Sequence, residues 1–344
     1  MIHNFQIVGF RNYADNFFAS LGEKTVILGP NGSGKTNLLE AIAVWLTGES
    51  FRTHNLADAI QWGGKGFSLR GVYQHDEYQF GYTPTARLYK KNTKTVTAEE
   101  YRRNHPVVVF LPEDPLLLYG GPEGRRRLLD TVMNVLDKDY RSLWLEYFRV
   151  LRQRNAHLRT QPEEAHIWDR KLMETGSALI EKRFFYLRQI SLRLQESFYE
   201  LYNIKIELRM LNTFRVEKTV KESFFQALEE SKKLERQKHM TLVGPHRDTF
   251  EIRSEDKNFR NFASQGQKRA AALLFKLSVA SLLRDASRVP LLLFDDVMLE
   301  MDYDRQKLLL NLFWDSFPWI WTIYSRDLIP GPKSYDLIQL PLSS

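Results

Sequence analysis

The sequence has no cysteine among its 344 residues, so disulfides, thiolate metal sites and a cysteine nucleophile are all excluded. Its eight histidines show no metal-ligand spacing, and no structural metal is expected. Long apolar runs are missing too. The stretches at 107–111 and 290–294 fall far short of a bilayer span, and residues 1–7 lack the basic-then-apolar character of a leader. These absences lead us to expect a soluble protein of the cytoplasm with no membrane partner. Neither an internal repeat nor a low-complexity segment interrupts the chain. With 43% apolar and 26% charged residues, the composition is that of a folded protein.

Most of the chain has no charge excess. The net charge is +7, but residues 121–240 hold 24 Lys and Arg against 18 Asp and Glu, leaving 25 against 24 elsewhere. Basic charge concentrated in one region suits a polyanion-binding face, the alternative being an ordinary solvated helical surface.

Organisation changes twice along the chain. Residues 2–10 alternate, 25–28 form a short apolar run, and 67–96 read as antiparallel hairpins. From about residue 122 the spacing turns helical, with helices expected over 140–159, 166–202 and 219–238. In the second, Leu172, Leu179, Ile180, Leu187, Ile190, Leu194 and Leu201 recur at roughly heptad intervals. Strand character returns near 240, and the run Leu291-Leu292-Leu293-Phe294 ends in Asp295 and Asp296. This pattern predicts that both ends build one sheet-containing head around an inserted helical lobe.

Three constellations carry chemistry. Gly29-Pro30-Asn31-Gly32-Ser33-Gly34-Lys35-Thr36 follows an apolar strand and opens a helix, the context in which such a loop cradles phosphates. There Lys35 would reach the β- and γ-phosphates of ATP and the Thr36 hydroxyl would hold Mg2+. Asp295 and Asp296 end a strand expected at the nucleotide edge of the sheet, so Asp295 would share the Mg2+ with Thr36. Asp296 would orient or deprotonate the attacking water. Alone, such a pair could equally be a helix cap. Ser264-Gln265-Gly266-Gln267 opens a helical run, where a hydroxyl and a glycine make either an anion socket or a plain cap. A further motif, His246-Arg247-Asp248, looks like a kinase catalytic loop, but the required Asn is replaced by Arg253.

Taken in order, Phe10-Arg11-Asn12-Tyr13, the glycine loop, Phe51-Arg52-Thr53, residues 110–114, 121–130 and 243–248, the run from Ser264 to Arg269 and residues 294–297 resemble the RecF family nearly end to end. The resemblance implies an α/β fold: a P-loop ATPase head of the ABC and SMC type with a mixed sheet, plus the helical lobe. Its boundaries are expected at 1–115 for the first half of the head, 116–240 for the lobe and 241–344 for the second half. It also implies that Ser264, Gln265, Gly266 and Gln267 are a signature motif completing the ATP site of the opposite subunit. ATP would then close a homodimer on DNA, hydrolysis would be slow, and RecR would be the partner in loading RecA at gaps. Two departures stand out: Leu299-Glu300-Met301-Asp302 replaces a segment that usually begins with Ser, and Thr249 replaces an Asp.

The expected nucleotide contacts are therefore residues 29–36 with Arg11, and the expected DNA contacts are Arg125, Arg126, Arg127, Arg149, Arg152, Arg154 and Arg159. A transporter ATPase subunit would share the loop and signature but would bind a membrane partner rather than DNA. An SMC-like structural protein needs a longer arm than an insertion of about 125 residues supplies at ~1.5 Å per residue. A nuclease of the same group needs an added acidic metal cluster.

Overall fold

A computed structural model describes residues 1–13, 17–103, 105–297, 303–325 and 334–340. The chain divides into two compact units, one formed by residues 1–112 with 283–344, the other by 113–282. Residues 241–282, which the sequence reading assigned to the head, cluster instead with the helices. The strand β9 (Glu207–Leu211), hidden between two helical stretches, pairs antiparallel with β10 (Thr249–Ser254) and holds that segment there. The substituted segment 299–302 lies outside the described residues.

The first unit contains two sheets. One is antiparallel, in the order β2 (Phe17–Leu21), β1 (Ile2–Val8), β4 (Phe67–Tyr73), β5 (Asp76–Thr83), β6 (Ala86–Lys91), β7 (Lys94–Thr95). The other is parallel throughout, in the order β14 (Asp336–Gln339), β3 (Lys24–Leu28), β13 (Trp319–Ile323), β12 (Leu291–Asp295), β8 (Val107–Phe110). The mixed character of the head is thus split between two sheets, and strands from both ends of the sequence make up the parallel one. Every residue of β12 and β13 is buried, which is why both read as continuous apolar runs rather than alternating ones.

Helix α1 (Lys35–Thr47) fills the core of this unit. It is apolar nearly all round, with Leu38, Leu39, Ile42, Val44, Trp45 and Leu46 buried. The Trp45 indole donates to the Tyr78 carbonyl at 2.9 Å and sits against Gly71, where a Cβ would come 3.0 Å from its ring. The helix ends at Gly48, at φ 70°, a position suited to glycine.

The second unit packs α4 (Pro122–Leu136), α5 (Tyr140–Thr160), α6 (Asp169–Tyr202) and α7 (Val220–Lys238) around the heptad-like stripe of α6, whose seven predicted residues are all buried. A three-stranded sheet, β11 (Lys257–Asn258), β10 and β9, and most of α8 (Gln265–Asp285) complete it.

Candidate nucleotide-binding site

Strand β3 delivers the chain into the glycine loop, and the loop turns directly into α1. Gly32 and Gly34 take positive φ values of 84° and 94°, which glycine adopts without a Cβ clash. A Cβ on Gly34 would also stand 2.8 Å from the Asn12 amide. The Lys35 ammonium is buried and folds back over its own loop, donating to the carbonyls of Gly29 at 2.9 Å and Pro30 at 3.2 Å. It also lies 3.9 Å from the Asp296 carboxylate.

The acidic strand end meets the loop, although the two are far apart in sequence. The Thr36 hydroxyl lies 2.9 Å from both oxygens of Asp295. Strand β12 is not a neighbour of β3. Strand β13 separates them, and its Thr322 hydroxyl donates to Asp295 at 2.9 Å. The Asp296 backbone N–H donates to the same Thr322 oxygen at 3.1 Å, and Asp296 itself sits at φ 45°, outside the usual range for a residue with a side chain. Burial raises the Asp296 pKa above the ordinary carboxylate value; Lys35 opposes the rise and Asp295 adds to it.

The residues fit a magnesium-bound nucleotide. Ser33 Oγ and Asp296 Oδ1 are buried oxygens that find no hydrogen-bond partner, as expected where a polar ligand belongs. Thr36 and Asp295 supply the hard oxygen pair that Mg2+ takes, leaving its other positions to phosphate and water. Among the described residues no group of three or more His, Asp or Glu could hold a metal by itself.

Residues 11–13 close over the start of α1. Arg11 was expected on the nucleotide, but its guanidinium is bidentate on the fully buried Glu40 of α1, at 2.9 and 2.7 Å, and donates to the Asp58 carbonyl at 2.6 Å. It holds the helix rather than pointing a free donor at the loop. Tyr13 donates to the Gly34 carbonyl at 3.2 Å, and Asn37 donates to Asn12 at 2.7 Å. Arg52 donates to Asn37 at 2.7 Å, while Ser50 donates to Glu40 at 2.6 Å. Glu40 and Thr322 carry no motif that marks them in the sequence. Each is the odd residue in an apolar element, a lone acid in LLEAIAVWL and a lone hydroxyl in WIWTI, and that exception was the available signal.

In the second unit Ser264 and Gln267 form a reciprocal cap on α8: Gln267 N–H donates to Ser264 Oγ at 3.2 Å, and Ser264 N–H to the Gln267 side chain at 2.9 Å. Ser264 and Gln265 are exposed, and a Cβ on Gly266 would meet nothing within 4 Å.

The expected DNA-contacting arginines separate into different environments. Arg149, Arg152 and Arg159 are exposed, as is Arg127, which pairs with Glu123 at 3.3 Å. Arg126 is half-buried, within 3.4 Å of the Arg247 carbonyl. Arg125 donates to the Gly120 carbonyl at 2.5 Å and to Thr249, and burial together with nearby Arg260 lowers its pKa. Arg154 is not a surface residue at all. It is 2% exposed and paired with Asp169 at 2.8 Å and Glu235 at 2.7 Å, so it cannot meet DNA phosphates. On α5 the spacing from Arg152 to Arg154 turns the latter onto the core face.

Residues 1–317 match the model of the RecF/RecN/SMC N terminal domain. The chain is 31% identical over 324 residues to the DNA replication and repair protein RecF of Clostridium novyi, covering 90% of this chain and 89% of that one. It also resembles two solved structures of the recombination mediator protein RecF in the RecFOR pathway. The one with ATPrS has a TM-score of 0.86 and 30% identity, covering 99% of this chain and 96% of its own. The one with ATP has a TM-score of 0.84 and 32% identity, covering 96% and 93%. The glycine loop on β3, the acid pair closing β12 and an ATPase head built from both ends of the sequence thus occur in a chain that belongs to the RecF family.

Proposed function

We propose that the chain is an ATP-dependent DNA-binding protein of recombinational and replication-gap repair. In this reading ATP and Mg2+ close a homodimer on DNA, hydrolysis is slow and releases it, and RecR is the partner in loading RecA. The cytoplasm is its compartment. The observation that carries the nucleotide site is the 2.9 Å contact between Thr36 and Asp295, 259 residues apart in sequence, with Lys35 beside Asp296. RecF relatives named for DNA replication and repair support the repair role, and a RecF structure with ATP supports the nucleotide.

The residues divide the work. The glycine loop's backbone N–H groups and the start of α1 face the phosphates with positive potential, and Lys35 turns from its loop carbonyls to the β- and γ-phosphates. Thr36 and Asp295 hold the cation, with Thr322 fixing the carboxylate from behind. Asp296 orients a water and accepts its proton; a raised carboxyl pKa suits that task. Mg2+, when bound, neutralises charge on the phosphates. Arg125, Arg126, Arg127, Arg149, Arg152 and Arg159 are the remaining candidates for DNA phosphates, with Arg154 withdrawn. No described helix is long and apolar enough to cross a membrane, and nothing singles out the transporter reading.

Ser264→Arg tests the shared site, since a signature loop serves the nucleotide of the opposite subunit. The variant should bind ATP as a monomer yet fail to dimerise or hydrolyse. Mixed with Lys35→Ala it should regain some turnover, because one composite site in the mixed dimer is intact. Wild-type dimerisation, by light scattering with ATP, and wild-type hydrolysis in Ser264→Arg would defeat the clamp while leaving the phosphate loop in place.

A further inference from the structure

Trp62 is fully exposed, the most exposed large apolar side chain among the described residues. It stands on a built mount. Gly64 N–H donates to the Gln61 carbonyl at 2.8 Å, closing a four-residue turn with Trp62 and Gly63 at its corners. Gly63 has φ 77°, the value that the third place of a type II turn demands. The base of the turn is fixed by close backbone approach. A Cβ on Gly66 would lie 2.4 Å from the Tyr82 carbonyl, and one on Gly9 would lie 2.8 Å from the Gly66 carbonyl. Gln61 N–H donates to the Gly9 carbonyl at 2.9 Å, and Arg11 N–H to the Ala59 carbonyl at 2.9 Å. The indole is therefore displayed on rigid backbone, so little ordering entropy is lost when something covers it.

The surroundings say what that something is. Between Ala59 and Leu69 the one charged residue is Lys65, which is exposed. Residues 60–68 thus offer a flat π-face and a cation, with no carboxylate of their own. A tryptophan anchoring a protein partner sits within a rim of side chains that excludes water. Here its neighbours are Gly63 and Gly64, and a Cβ on Gly63 would meet nothing within 4 Å. An open, unrimmed ring beside a lysine matches a stacking platform for an unpaired nucleic-acid base with its phosphate alongside. Resting on the DNA-binding reading above, we propose that Trp62 stacks on an unpaired base and Lys65 meets the adjoining phosphate. The ring is thereby a contact that gapped DNA can make and continuous duplex cannot.

The experiment compares gapped and fully paired DNA of one length, with ATP present, across wild type, Trp62→Ala, Trp62→Phe and Lys65→Ala, with melting temperature as the fold control. Trp62→Ala should lose about tenfold or more in affinity for gapped DNA, with duplex binding held within about twofold; Trp62→Phe should regain most of the loss. Because stacking carries no charge, the salt slope of Trp62→Ala should match wild type, whereas Lys65→Ala should reduce the slope by about one. An equal loss on both DNAs, or none on either, overturns the inference. So does loss of the ATP-dependent dimer in Trp62→Ala, which would make a second copy of the chain the occupant. Wild-type protein that binds neither DNA would overturn the underlying DNA reading as well.

Discussion

Buried charge serves opposite ends at two places, one in each unit. In the second, Arg154 is enclosed by Asp169 and Glu235, and Arg183 by Asp130, Tyr140 and the Pro245 carbonyl, so each guanidinium is compensated by groups of its own unit. In the first, Lys35 rests on loop carbonyls, while Ser33 Oγ and Asp296 Oδ1 are buried without partners. Enclosed charge compensated from within fixes the packing of helices. Enclosed polar atoms left over on a glycine loop, and on the acid beside its lysine, are open to a ligand. A buried cation is therefore not in itself a sign of function.

Paired substitutions should break that comparison most sharply. Removing Arg154 strands two buried carboxylates, so Arg154→Ala should cost about 3–5 kcal/mol of stability, seen as an early melting transition. Lys35→Ala should melt close to wild type and lose nucleotide affinity. Equal destabilisation by both variants would erase the distinction between the units.

A smaller effect should come from within the site. Asp296→Asn keeps the shape and removes the carboxylate charge, so it should bind ATP and turn over about a hundredfold more slowly, measured as phosphate release in a single turnover. Wild-type turnover would assign the water to another residue.

The mildest effect concerns the buried histidines, one in each unit. Burial is the main cause that lowers both His105 and His246 to about 4 from 6.5. The folded protein thus favours their neutral forms. That stabilisation is complete above pH 6.5, declines as pH falls, and is exhausted below about 4, amounting to roughly 2 kcal/mol per histidine between pH 7 and 5. His246 is engaged at both ring nitrogens, by Tyr147 at 2.7 Å and the Thr241 carbonyl at 3.2 Å. Both nitrogens of His105 lack partners, and its ring lies edge-on to Tyr73 and Tyr78. His105→Phe should accordingly flatten part of the acid dependence of melting without loss at pH 7. An unchanged acid slope would mean that His105 is not enclosed in solution.

Much of the candidate site's local geometry was legible in sequence, because its parts are local. A glycine loop, the helix it opens and an acid pair after four apolar residues are each set by neighbours a few positions away. Residues 166–202 were likewise readable as a helix, since an apolar repeat at heptad spacing has one compact solution. The boundary near 240 was not. Strand β9 is five residues long and gains its meaning from pairing with β10, some forty positions later.

By itself, then, the sequence determined the glycine loop between strand and helix, the acidic strand end, the order of helices and the family to which the chain belongs. Tertiary structure decided the rest. It placed β13 between the loop strand and the acid strand, which brings Thr322 to Asp295. It turned Arg11 onto Glu40 and enclosed Arg154, while Arg149 and Arg152 on the same helix stayed in water. It also left Trp62 exposed on a turn of glycines. Short-range spacing fixes which backbone conformations are affordable, but whether a charge or a ring ends in water depends on partners brought from elsewhere in the chain.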